Sequence, residues 1–166
     1  MLLKDIPADF SAESKVWIYQ CNRMLADNEC IEIKDILSDF ASTWKSHGHV
    51  IKGYGSVLFN RFLLLLADES ATGVSGCSTD SSVRLMKDIE IKYGISLFDR
   101  LTLAFLINKS IATIPLSQFQ DAINEGIINE DSLYFNNTVL TREALEHEWI
   151  VPVQKSWLTK ILLSHK

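Results

Sequence analysis

Three observations in the residue pattern predict an α+β fold. Lys15 to Cys21 (KVWIYQC) is rich in β-branched and aromatic residues, as strands are. Cys30, Ile33, Ile36, Leu37, Phe40 and Trp44 recur at the spacing of one helix face. Phe62 to Ala67 (FLLLLA) is an unbroken apolar run of strand length, which suits a central strand covered on both faces.

The first strand carries Val16 and Ile18 on one face and Trp17 and Tyr19 on the other. Asp27 is the expected N-cap of the first helix and Gly48 its expected C-cap. Val50 to Phe59 reads as a second strand, weakened by Gly53 and Gly55, and Asn60 and Arg61 lead into the third, FLLLLA. The segment ADESATGVSGCSTDSS is a loop of small residues ending in hydroxyl and carboxylate caps. Val83, Met86, Ile89 and Tyr93 then mark a second helix stopped by Gly94. Leu101, Leu103 and Phe105 alternate with Thr102 and Ala104 as a fourth strand. Strand, helix, strand, strand, helix, strand is the order of the ferredoxin-like split βαβ antiparallel sheet.

The pattern changes near residue 108, which predicts a ferredoxin-like domain over 1–107 and a small C-terminal α+β subdomain over 108–166. A short strand at Ser110 to Thr113 precedes Pro115, a residue suited to the first turn of a helix running to Gly126. Ser132 to Phe135 and Thr138 to Leu140 flank Asn136 and Asn137, a pair that tolerates the left-handed conformations of a hairpin turn. Thr141 is placed to cap a short helix through Glu148, and Trp157, Leu158, Ile161 and Leu162 form a packing tail.

With 166 residues, the chain can bury about 70% of its unfolded surface and hold its own core. An apolar content of 47% excludes global disorder, and a net charge of −5 argues against a broad nucleic-acid face. No signal-type apolar stretch opens the chain, and its longest apolar run is too short to span a bilayer, so a cytoplasmic location is expected. Cys21, Cys30 and Cys77 lie in three different predicted elements without a CxxC pair, which points away from a disulfide framework or a zinc ribbon.

Several short motifs carry a resemblance. WIYQ at 17–20, Asn22 and Arg23, NRF at 60–62, DES at 68–70, SGCSTDSSV at 75–83 and FDR at 98–100 together resemble a family of small bacterial proteins without assigned function, along most of the chain. Some members of that family carry the automatic label "ABC transporter ATPase". A P-loop requires GxxxxGK[ST], whose amides and lysine hold the phosphates, and this chain has no Gly-Lys-Ser/Thr. P-loop ATPase activity is therefore not expected. A second stretch, IPLSQFQDAINEGIINEDSLYF at 114–135, resembles the second half of GYF-type modules, which recognise proline-rich segments, although the aromatic cluster of their ligand surface is missing.

The expected topology gathers three loops at one edge of the sheet. They carry His47 and His49, then Asp68 and Glu69, then Cys77 and Asp80. Such a set would bind a metal, or let a histidine lower the pKa of the Cys77 thiol near a helix N-terminus. Each residue also has a structural reading: the histidines suit a helix C-terminus, Asp68 and Glu69 are solvated strand-end charges, Asp80 is a cap and Cys77 a packed side chain. The opposite edge would gather Arg23, Asn60, Arg61, Asp99 and Arg100. There the three arginines would hold a carboxylate or phosphate, or one of them would pair with Asp99.

No nucleophile, base and orienting group can be assembled from these residues, so the leading expectation is a non-enzymatic binding or assembly module. The alternative is a small enzyme or metal-binding protein using the Cys77, His47, His49 and carboxylate cluster. No motif calls for a cofactor. The expected partner is a protein or a small molecule rather than nucleic acid, and homo-oligomerisation stays open.

Overall fold

The computed structural model describes residues 6–68, 70 and 76–163, the side chains of 76–78 excepted. It is an α+β structure divided into two compact units. One comprises the chain through Phe98 together with Val139–Glu146, and the other Asp99–Thr138 together with the chain from His147.

The first unit is built on a three-stranded antiparallel sheet of β1 (Lys15–Gln20), β4 (Lys52–Leu58) and β5 (Phe62–Asp68), in the order β1-β5-β4. The apolar run occupies the centre, as its unbroken pattern requires: Leu64 faces Ile18 on one side and Ser56 on the other. Two helices, α1 (Asp27–Thr43) and α2 (Gly76–Tyr93), cover one face. There Tyr19, Leu63, Leu65 and Ala67 share a core with Ile33 and Leu37 of α1 and with Met86 and Ile89 of α2. Val16, Leu64 and Leu66 alternate onto the other face and are also buried. On that side Phe10 meets Tyr54 edge-on.

Gly53 and Gly55 do more than weaken a strand. They lie under α1, where a Cβ on Gly53 would stand 2.9 Å from the Ala41 carbonyl oxygen. The missing side chains bring helix and strand backbone together.

Two boundaries differ from the expectation. The N-cap of α1 is Ala26, whose N–H donates to Glu29 Oε2 at 2.8 Å, while Asp27 is the first helical residue. The helix stops at Thr43 with Trp44 extended, and Gly48 lies beyond it, in a small hairpin of β2 (Lys45–Ser46) and β3 (His49–Val50). His47 and Gly48 both have positive φ, as the mirror-image turns that match strand twist demand. Phe59 and Asn60 turn the β4–β5 hairpin the same way, at φ 53° and 51°.

The fourth strand belongs elsewhere. Residues expected as the fourth strand of a ferredoxin-like sheet form β6 (Thr102–Ile107), which pairs with β7 (Ser110–Pro115) and β8 (Leu133–Phe135) in the second unit; β9 (Ile150–Pro152) completes the sheet in the order β7-β6-β8-β9. The reason is local: Asn108 and Lys109 adopt positive φ and fold β6 directly back on β7. At the outer edge of β1, Leu140 O accepts the Val16 N–H at 3.0 Å and Thr141 bridges Lys15.

The predicted hairpin at Asn136 and Asn137 does not form, because β8 pairs with β9 across a longer connection. Asn136 Oδ1 instead accepts the Thr138 hydroxyl at 2.6 Å, and Asn137 Oδ1 accepts the Trp149 indole N–H at 3.0 Å. Thr141 caps α4 (Arg142–Glu148) through its Oγ1, which accepts the Ala144 N–H. Pro115 precedes a 3-10 turn (Leu116–Gln118) that leads into α3 (Phe119–Asn124), and α5 (Thr159–Leu163) is the last described helix.

Candidate binding cleft

The second unit encloses a cleft of about 480 Å³ between α3 and α5, with the loop after α3 along its side. Its position follows from how α3 is anchored. Phe119 is fully buried and stacks on Phe105 with ring centroids 6.1 Å apart, and Ala122 is buried beside it. Gln120, Ile123 and Asn124 are left to line the cleft. Gly126, at φ 71°, ends the helix and lets the Ile128 N–H reach back to Ala122 O.

The opposite wall is equally fixed. Leu158 is buried ahead of α5, and Ile161 and Leu162 pack on the core of this unit. Thr159 Oγ1 donates within the turn before it, lying 2.8 Å from both Gln154 O and Ser156 O. Gln154 joins the walls: its N–H donates to Glu130 O at 3.0 Å, and its Nε2 donates to Asp131 Oδ1 at 2.7 Å.

The lining combines aliphatic side chains with amides. Ile123, Ile128, Leu162 and Leu163 supply apolar surface, while Gln120, Asn124, Asn129 and Gln154 supply donors and acceptors. Among the described residues, Glu130 is the single titratable one lining the cleft. Gln120 Nε2 donates to Asn124 Oδ1 at 3.2 Å, and Gln120 Oε1 is buried without a hydrogen-bond partner.

The chain matches no protein-family model, no curated protein and no solved structure.

The expected chemical edge resolves differently. His47 and His49 are exposed on the β2–β3 hairpin, and Asp80 is exposed on α2. Asp68 is buried rather than solvated, and its oxygens accept the N–H groups of Ser70 at 2.9 Å and Ser11 at 3.1 Å. Those two bonds hold its carboxyl below the usual carboxylate range against the opposing effect of burial. Glu69 and the Cys77 side chain lie outside the described residues. Among the described residues no three His, Cys, Asp or Glu side chains are grouped to hold a metal.

The arginine edge is divided as well. Arg23 forms a two-pronged pair with Glu29, at 2.8 Å on each prong, and its Nη2 also donates to Tyr93 O at 2.9 Å. It thus ties the first turn of α1 to the last residue of α2, with its charge at the electronegative end of α2. Arg61 is buried, donates from Nη2 to Asn22 O at 3.2 Å, and pairs with no carboxylate among the described residues. Burial lowers its pKa. Arg100 is exposed and belongs to the second unit. Asp99, the expected partner of an arginine, accepts the Leu101 N–H and the Thr102 hydroxyl instead.

Sequence reasoning overlooked the cleft because amide side chains and scattered aliphatics form no catalytic or metal-ligand motif. The available signal was Gln120 and Asn124, whose four-residue spacing places them together on one helix face.

Proposed function

We propose that the protein is a non-enzymatic binding or assembly module of the cytoplasm, and that the cleft between α3 and α5 is where it engages a protein or small-molecule partner. The observation that carries this reading is the cleft lining: a volume within the roughly 300–1,000 Å³ range of ligand sites, aliphatic walls, and a few convergent polar groups that orient a ligand. Its named polar residues are amides, one threonine already engaged with backbone, and one carboxylate, a set that binds without supplying a nucleophile and base. The net negative charge favours a partner other than nucleic acid. The first unit is read as a scaffold of ferredoxin-like character, since β1, β5 and β4 and the two helices follow that order up to the missing fourth strand.

A fragment screen by amide chemical-shift mapping on the intact protein tests the reading. Saturable shifts should gather at Gln120, Ile123, Ile128 and Leu162. Fragments that converge on another surface, or turnover of any fragment, would overturn it.

A further inference from the structure

Independently of the cleft, we infer that β7 is a self-pairing edge: two copies of this chain associate with their β7 strands antiparallel about a two-fold axis at Ala112, joining two four-stranded sheets into one continuous sheet.

Part of the β7 backbone is left unused by β6. β7 is an end strand of its sheet, and Ile114 faces Leu103 of β6. Two residues further on, the Leu116 N–H donates to Leu101 O at 2.7 Å. Hydrogen-bonded pairs alternate along an antiparallel ladder, so Ser110, Ala112 and Ile114 turn their N–H and C=O groups toward β6, while Ile111 and Thr113 turn theirs outward. Among the described residues, those outward groups make no backbone hydrogen bond.

The outward set is complementary to itself. In an antiparallel pair centred on Ala112, Ile111 of each copy faces Thr113 of the other, and every outward N–H meets a C=O across the seam. The ladder has defined ends, since Pro115 has no N–H to add and the chain turns away at Asn108 and Lys109, both at positive φ. A longer foreign strand gains no further donor from this edge. β9, at the other end of the sheet, is three residues long and ends in Pro152. Pairing of β7 with itself therefore closes as a two-fold dimer instead of growing into a fibre.

Charge and burial agree with a second copy. Ser110–Pro115 carries no charged residue, whereas edge strands kept in solvent are commonly guarded by lysine. The two Lys109 residues would lie about 20 Å apart along the seam, beyond the Debye length of about 8 Å. Each falls opposite Pro115 of the other copy, whose neighbour Thr102 donates its hydroxyl to Asp99 Oδ2 at 2.6 Å; Arg100 follows Asp99 in sequence, so the two charges there cancel. Ile111 and Ile114 are half-buried, and Ile114 packs on the core of its unit. Facing Thr113 and Ser110 across the seam, both lose further exposure to water. A ladder this short buries less than the roughly 1,200 Å² of a stable interface, which places the affinity in the micromolar range or weaker.

Sedimentation and amide NMR on the intact protein, from about 10 μM to about 1 mM, test the inference. A dimer should form toward the upper end, shift the Ile111 and Thr113 amide signals, and slow their hydrogen exchange, which in dilute protein should outpace that of Ala112 and Ile114. Thr113→Pro deletes an outward N–H and no bond to β6, and should weaken association by about tenfold or more. Ala112→Lys and Ala112→Glu, each checked for an unchanged amide spectrum outside β7, should be monomeric alone and associate when mixed, because position 112 faces itself across the axis. Should either variant misfold, exchange in the unaltered protein decides. A monomer at the highest concentration, a dimer that leaves Ile111 and Thr113 unshifted, or folded Ala112 variants that associate no better mixed than alone would overturn the inference. The fragment screen judges the cleft separately, so failure of one reading leaves the other standing.

Discussion

Gly55 lies so close beneath Leu37 that a Cβ built on it would stand 2.7 Å from Leu37 Cβ and 2.8 Å from Leu37 O. The nearest obstacles include backbone atoms of α1, so the helix itself would have to lift. Gly55→Ala should therefore destabilise the protein by about 1–3 kcal/mol in urea unfolding, the usual cost of overpacking. An unchanged midpoint would show that α1 does not rest on β4 as described.

Leu64 is fully buried at the centre of the sheet. Leu64→Ala should cost about 2–5 kcal/mol, from lost transfer energy plus the cavity left behind. A loss under about 1 kcal/mol would contradict a central β5.

The Arg23–Glu29 pair should be visible in a titration. The hydrogen bonds from Arg23, followed by the Ala26 N–H, draw the Glu29 carboxyl down to about 2. Because the folded-state value is depressed, the pair's contribution is present above the unfolded value near 4.5 and is lost as pH falls through the folded one. Carboxyl-selective NMR should find Glu29 ionised at pH 3.5, and Arg23→Gln should move its midpoint back toward 4.5. An ordinary Glu29 midpoint in the intact protein would contradict the pairing.

Arg61 presents the opposite case, a buried guanidinium whose Nε has no hydrogen-bond partner. Removing an uncompensated buried charge while keeping the volume is often neutral or stabilising. Arg61→Met should therefore leave stability within about 1 kcal/mol or raise it, and a loss of several kcal/mol would point to an anionic partner that the described residues do not show.

Thiol chemistry separates binding from catalysis. Burial raises the pKa values of both Cys21 and Cys30, so each should react slowly with iodoacetamide at pH 6.5. Slow alkylation is expected at Cys77 too, with no hydrolysis of Mg-ATP. A fast reaction at Cys77 that His47→Ala or His49→Ala slows would favour the small-enzyme alternative.

The parts of the fold legible in sequence were those written in short-range pattern. The spacing from Ile33 to Phe40 marked α1, and the unbroken FLLLLA run marked a doubly covered strand. What escaped was pairing between distant segments: the alternation of Thr102 to Ile107 identifies a strand but says nothing of which sheet it joins. Gly53 and Gly55 looked like strand defects because their value lies in Ala41 and Leu37, far away in sequence. At the proposed chemical edge, Asp68 looked solvated because its partners are backbone amides, one of them at Ser11.

The return of Val139–Glu146 to the first unit sets an order of events during synthesis. A nascent chain that has reached Phe98 holds β1, β4, β5 and both covering helices, yet Leu140, whose carbonyl receives the Val16 N–H, has not been made. Until it emerges, that stretch of β1 remains an unsealed edge, the feature through which partly folded chains associate. Expressing the first unit alone, cut at Phe98, would make that passing stage permanent.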